Sequence, residues 1–384
     1  MVETFQPRRV LIAPDKFKGS LSAVEVAQAI GRGVNRALPN ARAIEHPVAD
    51  GGEGTVDMAL RHGFHAETVP VSGPMGDRVS ATFALRDDTA VIEMASAAGL
   101  ALLGTAGPSP ATALQATTYG VGELVSAVLD RGAMRIIVGV GGSATTDGGA
   151  GALQALGALI VDGAGAALDP GGAGLTRVGR LDLHGLGRVT EQAEIVVAGD
   201  VEAKLTGPSG AARMFGPQKG ADPGTVELLE RALEVWAGVV AEATGRDLRD
   251  RAGVGAAGGL AFGLASVLGA RIAPGIDMLL DISGFNVEVV ECDLVVVGEG
   301  SLDAQSLLGK GPLGVARRAA DLGVPSIAVV GRSHISEEQA LRAGLDAVIA
   351  LTDHVGERRS MSDTATAIEE VVGRVLASRY RPAA

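Results

Sequence analysis

The stretch RVLIAPDKFKGSLSAVEVAQAI, residues 9–30, decides the fold. Val10, Leu11, Ile12 and Ala13 form a short apolar run closed by Pro14, the length and composition of a buried strand. A loop follows, and Ser22 with Glu25 three residues on is a capping box that opens a helix. Val26, Ala29, Ile30 and Val34 then recur at helical spacing. Strand, glycine-bearing loop and helix in succession are the repeating unit of α/β architecture.

The same plan returns toward the C-terminus. Residues 293–297 read as a strand, 298–311 as a long loop and 314–322 as a helix. A strand at 326–330, a helix capped by Ser336 and Gln339, a strand at 347–351 and a last helix at about 363–377 follow. Right-handed crossovers would join these pieces into a mainly parallel sheet with ligands at the carboxyl ends of its strands. The middle of the chain is organised differently. Residues 68–71 and 79–85 flank a hairpin connection at 73–77, and strands at 90–94, 135–140 and 194–198 accompany a helix at 122–131. The expected arrangement is an α/β domain of residues 68–289 inserted into a discontinuous α/β domain of 1–67 plus 290–384, with the active site in the cleft between them.

Composition narrows the function classes. The chain has 384 residues, 47% hydrophobic and 20% charged, as packed globular proteins do. Its net charge of −12 argues against nucleic acid or an anionic membrane as partner, since both repel it. The one cysteine, Cys292, leaves no internal disulfide and suits a cytoplasmic protein. The first nine residues lack the apolar core of a signal peptide. Residues 252–270 are uncharged, but six glycines make them a buried helix rather than a membrane span. Glycine, at 56 residues, sits mostly in short loops beside apolar runs, where backbone can approach a ligand.

Five such loops combine glycine with acids, lysines or hydroxyls. In the first, Lys18 precedes a capped helix whose free amides favour an anion, although Lys16 and Lys18 also read as solvated loop residues. In the second, Asp50 and Glu53 are spaced to hold Mg²⁺ or to accept a hydroxyl proton, or else form an exposed acidic turn. The third leaves a strand as Gly139-Val140-Gly141-Gly142-Ser143-Ala144, a GxGxxA pattern able to cradle phosphates. A dinucleotide-binding reading also wants an acid ending the next strand, and Asp162, in a glycine-rich turn, meets only the spacing. Asp147 and the neighbouring hydroxyls suit a nucleotide triphosphate or its metal better. The fourth, residues 207–220, follows Asp200 at a strand end and holds Lys219 in a rigid loop between Pro217 and Gly220. In the fifth, Glu299 and Asp303 can reach one metal, Gly300 lies between them, and Lys310 can neutralise a phosphate. Walker A, serine-hydrolase elbow and His/Cys metal spacings do not occur. Trp236 falls on the apolar side of a helix and reads as core.

Together these segments resemble the glycerate kinase family of bacterial type. The resemblance is carried by APDKFKGSLSA (13–23), DGGEGT (50–55), GVGGSATTDGGAG (139–151), GPSGAARMFGPQKGA (207–221), GAAGGLAFGL (255–264) and GEGSLDAQSLLGKGPLGVA (298–316). It implies two intertwined α/β domains and ATP-dependent phosphorylation of D-glycerate with Mg²⁺, usually to 2-phosphoglycerate. By that resemblance, Lys18, Asp50, Glu53, Asp147, Lys219, Glu299, Asp303 and Lys310 are matched motif positions, and the mechanism expected of such loops puts Lys18, Asp50, Lys219 and Asp200 in catalysis. Gly141, Gly142, Ser143, Asp147, Gly300 and Lys310 are expected on the nucleotide, and Glu299 and Asp303 on the metal. The chain departs from the family at Thr146, where Asn is usual, and in residues 200–205, where Ala203 and Lys204 replace an Asn-Pro pair. The expected partner is a small molecule, with a homo-oligomer left open. The competing readings are an NAD-dependent oxidoreductase built on the GxGxxA loop and a non-catalytic small-ligand-binding protein.

Overall fold

The computed structural model describes residues 6–48, 54–187, 189, 193–200, 202–303, 306–308 and 311–380. Its strands are β1 (Arg9–Pro14), β2 (Arg42–Glu45), β3 (His65–Ser72), β4 (Arg78–Arg86), β5 (Thr89–Glu93), β6 (Arg135–Gly139), β7 (Leu159–Asp162), β8 (Val178–Asp182), β9 (Glu194–Ala198), β10 (Arg271–Ala273), β11 (Leu294–Leu302), β12 (Ser326–Ser333) and β13 (Ala347–Ala350). They fall into two compact units, one of Met1–Asp50 with Ile276–Ala384 and one of Gly51–Gly275.

In the first unit the strand order is β13-β12-β11-β1-β2, and every pairing is parallel. Alternate residues supply two cores, as the pleat requires. Val10, Ile12, Val296 and Val329 face helices Ala23–Ala37 and Thr364–Arg379, while Leu11, Ala13, Val295 and Val330 pack with Leu280, Phe285 and Leu313 on the other side. The Ser22–Glu25 capping box forms as expected, the Ser22 N–H donating to Oε2 of Glu25 at 2.9 Å. The chain leaves β1 toward β2 on one side and returns to β11 on the other. The strand order therefore reverses between β1 and β11, and a crevice opens at their carboxyl ends.

The second unit holds a mixed sheet in the order β10-β9-β6-β5-β4-β3. β3, β4 and β5 form an antiparallel meander, and β5, β6, β9 and β10 run parallel. Helix Ala256–Leu268, read from sequence as buried, is enclosed from Ala256 to Ser266. Among the described residues no helix is long and apolar enough to cross a membrane.

The units divide at 50 and 275 rather than at the expected 67 and 289, for packing reasons at both ends. Helix Thr55–Arg61 lies on β4 and β5, and the carboxylate of Glu93, at the end of β5, accepts the Val56 N–H at 2.8 Å. At the other end Ile276, Leu280, Phe285 and Val289 complete the core behind β11. The expected loop at 298–311 is partly strand, because pairing with β12 carries β11 through to Leu302. Phe285 is fully buried and stands edge-on to the His46 ring at 5.5 Å. Phe285→Ala should cost about 3–5 kcal/mol, read as a lower urea midpoint. A midpoint within error of wild type would contradict its place in the core.

Candidate active site

The reversal point of the first sheet carries a cavity of about 350 Å³. It is built by the segment after β1. Phe17 is buried and exchanges backbone hydrogen bonds with Leu21, closing a tight turn. With Phe17 anchored in the core, its neighbours Lys16 and Lys18 are left at the rim, Lys18 exposed. Asp15 joins the adjacent strand through its N–H to the Gly298 carbonyl at 2.8 Å. Six charged residues line it, the cations Lys16, Lys18 and Arg332 and the acids Asp15, Glu299 and Glu357, among uncharged residues that include Phe17, Ser301 and Thr364, with Gly300 on the wall. A cavity that alternates cations with carboxylates suits a small polar acid better than an apolar ligand.

The structure thus places Lys18, Glu299 and Gly300 around one cavity. Asp303 lies just beyond, where its Oδ1 accepts the Ser306 N–H at 3.3 Å and caps a short turn. Asp50, Glu53 and Lys310 lie outside the described residues.

The second unit carries residues 141–147 after β6, Asp200 after β9, and Lys219 in the short turn Pro217–Lys219. Asp200 follows β9 and its Oδ1 accepts the Gly275 N–H at 3.0 Å. The loop after β6 is built around Asp147. That carboxylate is 1% exposed and accepts the Thr118 N–H at 2.7 Å, the Thr118 hydroxyl at 2.9 Å, and the Gly149 and Gly151 N–H groups at 3.1 and 3.3 Å. Burial raises its pKa, against the pull of those donors. Lys219 is also 1% exposed and gives its Nζ proton to the Thr145 carbonyl at 2.6 Å. Burial lowers its pKa to about 7, although the Asp147 charge opposes the shift.

Asp147 and Lys219 are thus both bonded within the chain. They hold the loop in shape, and others help. The Trp236 indole N–H donates to the Gly148 carbonyl at 3.0 Å, and the Gly148 N–H donates to the Gly258 carbonyl at 3.0 Å. Gly258 has φ +66°, and a side chain there would overlap the Thr145 carbonyl, so only glycine permits this approach. The open part of the loop is Gly141 and Gly142; Ser143 is mostly covered and bridges to Gly99. Asp162, the acid whose spacing would suit a dinucleotide fold, is not part of this sheet. Asp162 ends β7, which pairs antiparallel with β8 in a separate ribbon, and its Oδ1 caps the turn through Ala164 and Ala166 at 2.9 Å.

Sequence reasoning missed Glu93. Besides Val56 it accepts the Gly54 N–H at 3.0 Å, so it fixes the end of the 50–55 segment, and burial raises its pKa. Its signal was available, an acid ending an apolar strand. Arg332 and Glu357 were missed as well.

A doubly wound sheet with a cavity at its reversal point, joined to a second α/β unit with a braced glycine loop, is the architecture of α/β enzymes for small-molecule substrates. The chain belongs to the glycerate kinase family, whose model matches residues 10–379, and it is a kinase. It is similar to the glycerate kinase of Bacillus subtilis strain 168, with 43% identity over 89% of this chain and 90% of that protein. It is similar to the glycerate 2-kinase of Escherichia coli K12, with 41% identity over 91% of each. A crystal structure from Salmonella typhimurium LT2, described as a glycerate kinase 2, superposes with a TM-score of 0.80 at 39% identity, covering 96% of this chain and 97% of that one.

The buried lysine gives a pH signature. Below about pH 7 Lys219 is protonated in folded and unfolded chains alike; above it, up to the ordinary value of 10.5, the unfolded chain holds the extra proton. Its contribution to stability therefore rises with pH over that window. Compared with Lys219→Met, the wild type should gain up to about 1.4 kcal/mol per pH unit above neutrality, measured by urea unfolding. Parallel pH profiles for the two proteins would contradict the buried, neutralised amine.

Proposed function

We propose that the protein transfers the γ-phosphoryl group of ATP to a hydroxyl of D-glycerate, giving 2-phosphoglycerate and ADP, in the cytoplasm. The observation that carries the reading is the charged cavity at the carboxyl ends of β1 and β11, in a chain whose relatives are named glycerate kinases. Lys18 takes the glycerate carboxylate at the rim. Asp200 or Asp50 orients the attacking hydroxyl and receives its proton as the oxygen–phosphorus bond forms and the bond to the departing ADP oxygen breaks. The open amides of Gly141 and Gly142, with Lys310, hold phosphate oxygens, and Gly300 lets the backbone approach the ligand. Asp147 and Lys219 act through the shape of the glycine loop.

The residues present fit Mg²⁺, which takes hard oxygen ligands and is commonly held by one or two carboxylates with substrate and water completing its shell. Glu299 lines the cavity with Asp15 beside it, and among the described residues no group of three or more acids, histidines or cysteines forms an all-protein cage. Glu299, with Asp303, would hold the ion, which supplies neutralisation of phosphate charge. The oxidoreductase alternative loses its support with Asp162, whose carboxylate is spent on a turn outside the sheet.

Phosphorus and proton NMR of the product formed from ATP and D-glycerate tests the reaction. A phosphate on O2 is expected; turnover at O3 would overturn the regiochemistry, and absence of turnover would overturn the reading. Lys310→Ala should lower kcat by about 100- to 1,000-fold, as loss of a charge aimed at the transition state does. Near wild-type turnover would remove Lys310 from the machinery.

A further inference from the structure

We infer that Arg332 is a second carboxylate-binding residue of the first unit's cavity, that Glu357 holds it when no substrate is bound, and that the pair sets affinity for the hydroxy acid. This rests on the glycerate reading above and adds to it a recognition residue and its resting partner.

The argument begins in strand register. β12 runs parallel to β11 with Arg332 opposite Ser301 and Val330 opposite Glu299. Glu299, Ser301 and Arg332 thus sit side by side at the carboxyl ends of the two strands, and all three line the cavity. Its walls then carry a lysine rim from the loop after β1 and a guanidinium from β12.

Arg332 is lightly engaged where it stands. Its ion-pair contact is Glu357, with Nη1 and Oε1 3.6 Å apart and the two side chains 44% and 74% exposed. Among the described residues none gives its N–H groups a hydrogen bond of normal length. An exposed pair at that separation adds little stability, so an incoming anion can displace it. Glu357 faces the cavity because Gly356, with φ +78° and ψ 161°, breaks the segment Leu351–Ser362 into two helical pieces. A side chain at that φ would be strained, which makes the break a property of the sequence.

The chemistry selects the ligand group. A lysine is a point charge and leaves a carboxylate free to rotate, whereas the planar guanidinium fork binds both oxygens and fixes their plane. With the carboxylate held by Lys18 and Arg332, Ser301 lies in the same cavity to meet a hydroxyl.

Arg332→Ala, Arg332→Lys and Glu357→Gln, measured for KM, kcat and calorimetric binding of D-glycerate, test the inference. Arg332→Ala should raise both KM and Kd for D-glycerate by about 10- to 100-fold, with the KM for ATP within about twofold of wild type. Arg332→Lys should recover only part of the loss, because it lacks the fork. Glu357→Gln should lower KM for D-glycerate by about two- to fivefold, since the competing anion is gone. Unchanged D-glycerate constants in Arg332→Ala, or a shift confined to ATP, would overturn the assignment while leaving the kinase reading intact. No effect of Glu357→Gln would remove Glu357 as resting partner. Failure of the wild-type protein to bind or phosphorylate D-glycerate would instead sink the reading on which the inference stands.

Discussion

A carboxylate taken out of water must recover its lost hydrogen bonds inside the protein, and in the second unit that requirement falls on Asp147. Its two oxygens gather the turn at Thr118, the helix entrance at Gly149 and Gly151, and thereby the loop after β6. Everything packed on that loop depends on its being closed in this way. Lys219 reaches the Thr145 carbonyl, Trp236 the Gly148 carbonyl, and the backbone at Gly258 lies directly against both. A half-satisfied network of this kind would be worse than none, because each buried donor or acceptor left alone costs free energy. Rigidity is what the open glycines at 141 and 142 gain from it: amides that stay oriented before any ligand arrives.

The first unit solves a different problem. Its parallel sheet reverses strand order at β1 and β11, which separates the loops there and leaves a crevice rather than a packed end. Acids and bases can line that crevice because it remains wet; none of Lys18, Glu357 and Arg332 is sealed from solvent. The two units thus use similar residue types in opposite ways. Charge is buried and spent on backbone in one, and displayed around a cavity in the other.

Much of this was legible in the chain itself. The apolar run at 10–13 and the Ser22–Glu25 box fixed the first strand and helix, since both are local signals that tertiary context does not reverse here. The strand at 194–198 and the core place of Trp236 were equally plain. What local signals could not supply was burial. Asp147 and Lys219 sit beside glycines that read as room for a ligand, and in the fold Trp236, Leu260 and Ser109 pack against Gly148, Gly149 and Gly220. The run 255–264, read as one more motif of the same set, is the surface that packs on that loop. Arg332 escaped notice because the β-branched run ends at Val330, while pairing with the long β11 carries β12 to Ser333. Glu357 depended on a kink at Gly356 inside a segment that otherwise looks helical.

The central claim is that the crevice at the ends of β1 and β11 receives a small hydroxy acid. Diffraction from crystals grown with D-glycerate tests it most directly. The account predicts density for the acid inside the first unit's cavity, its carboxylate within hydrogen-bond reach of Lys18. Bound D-glycerate at another site, with that cavity holding only solvent, would contradict it.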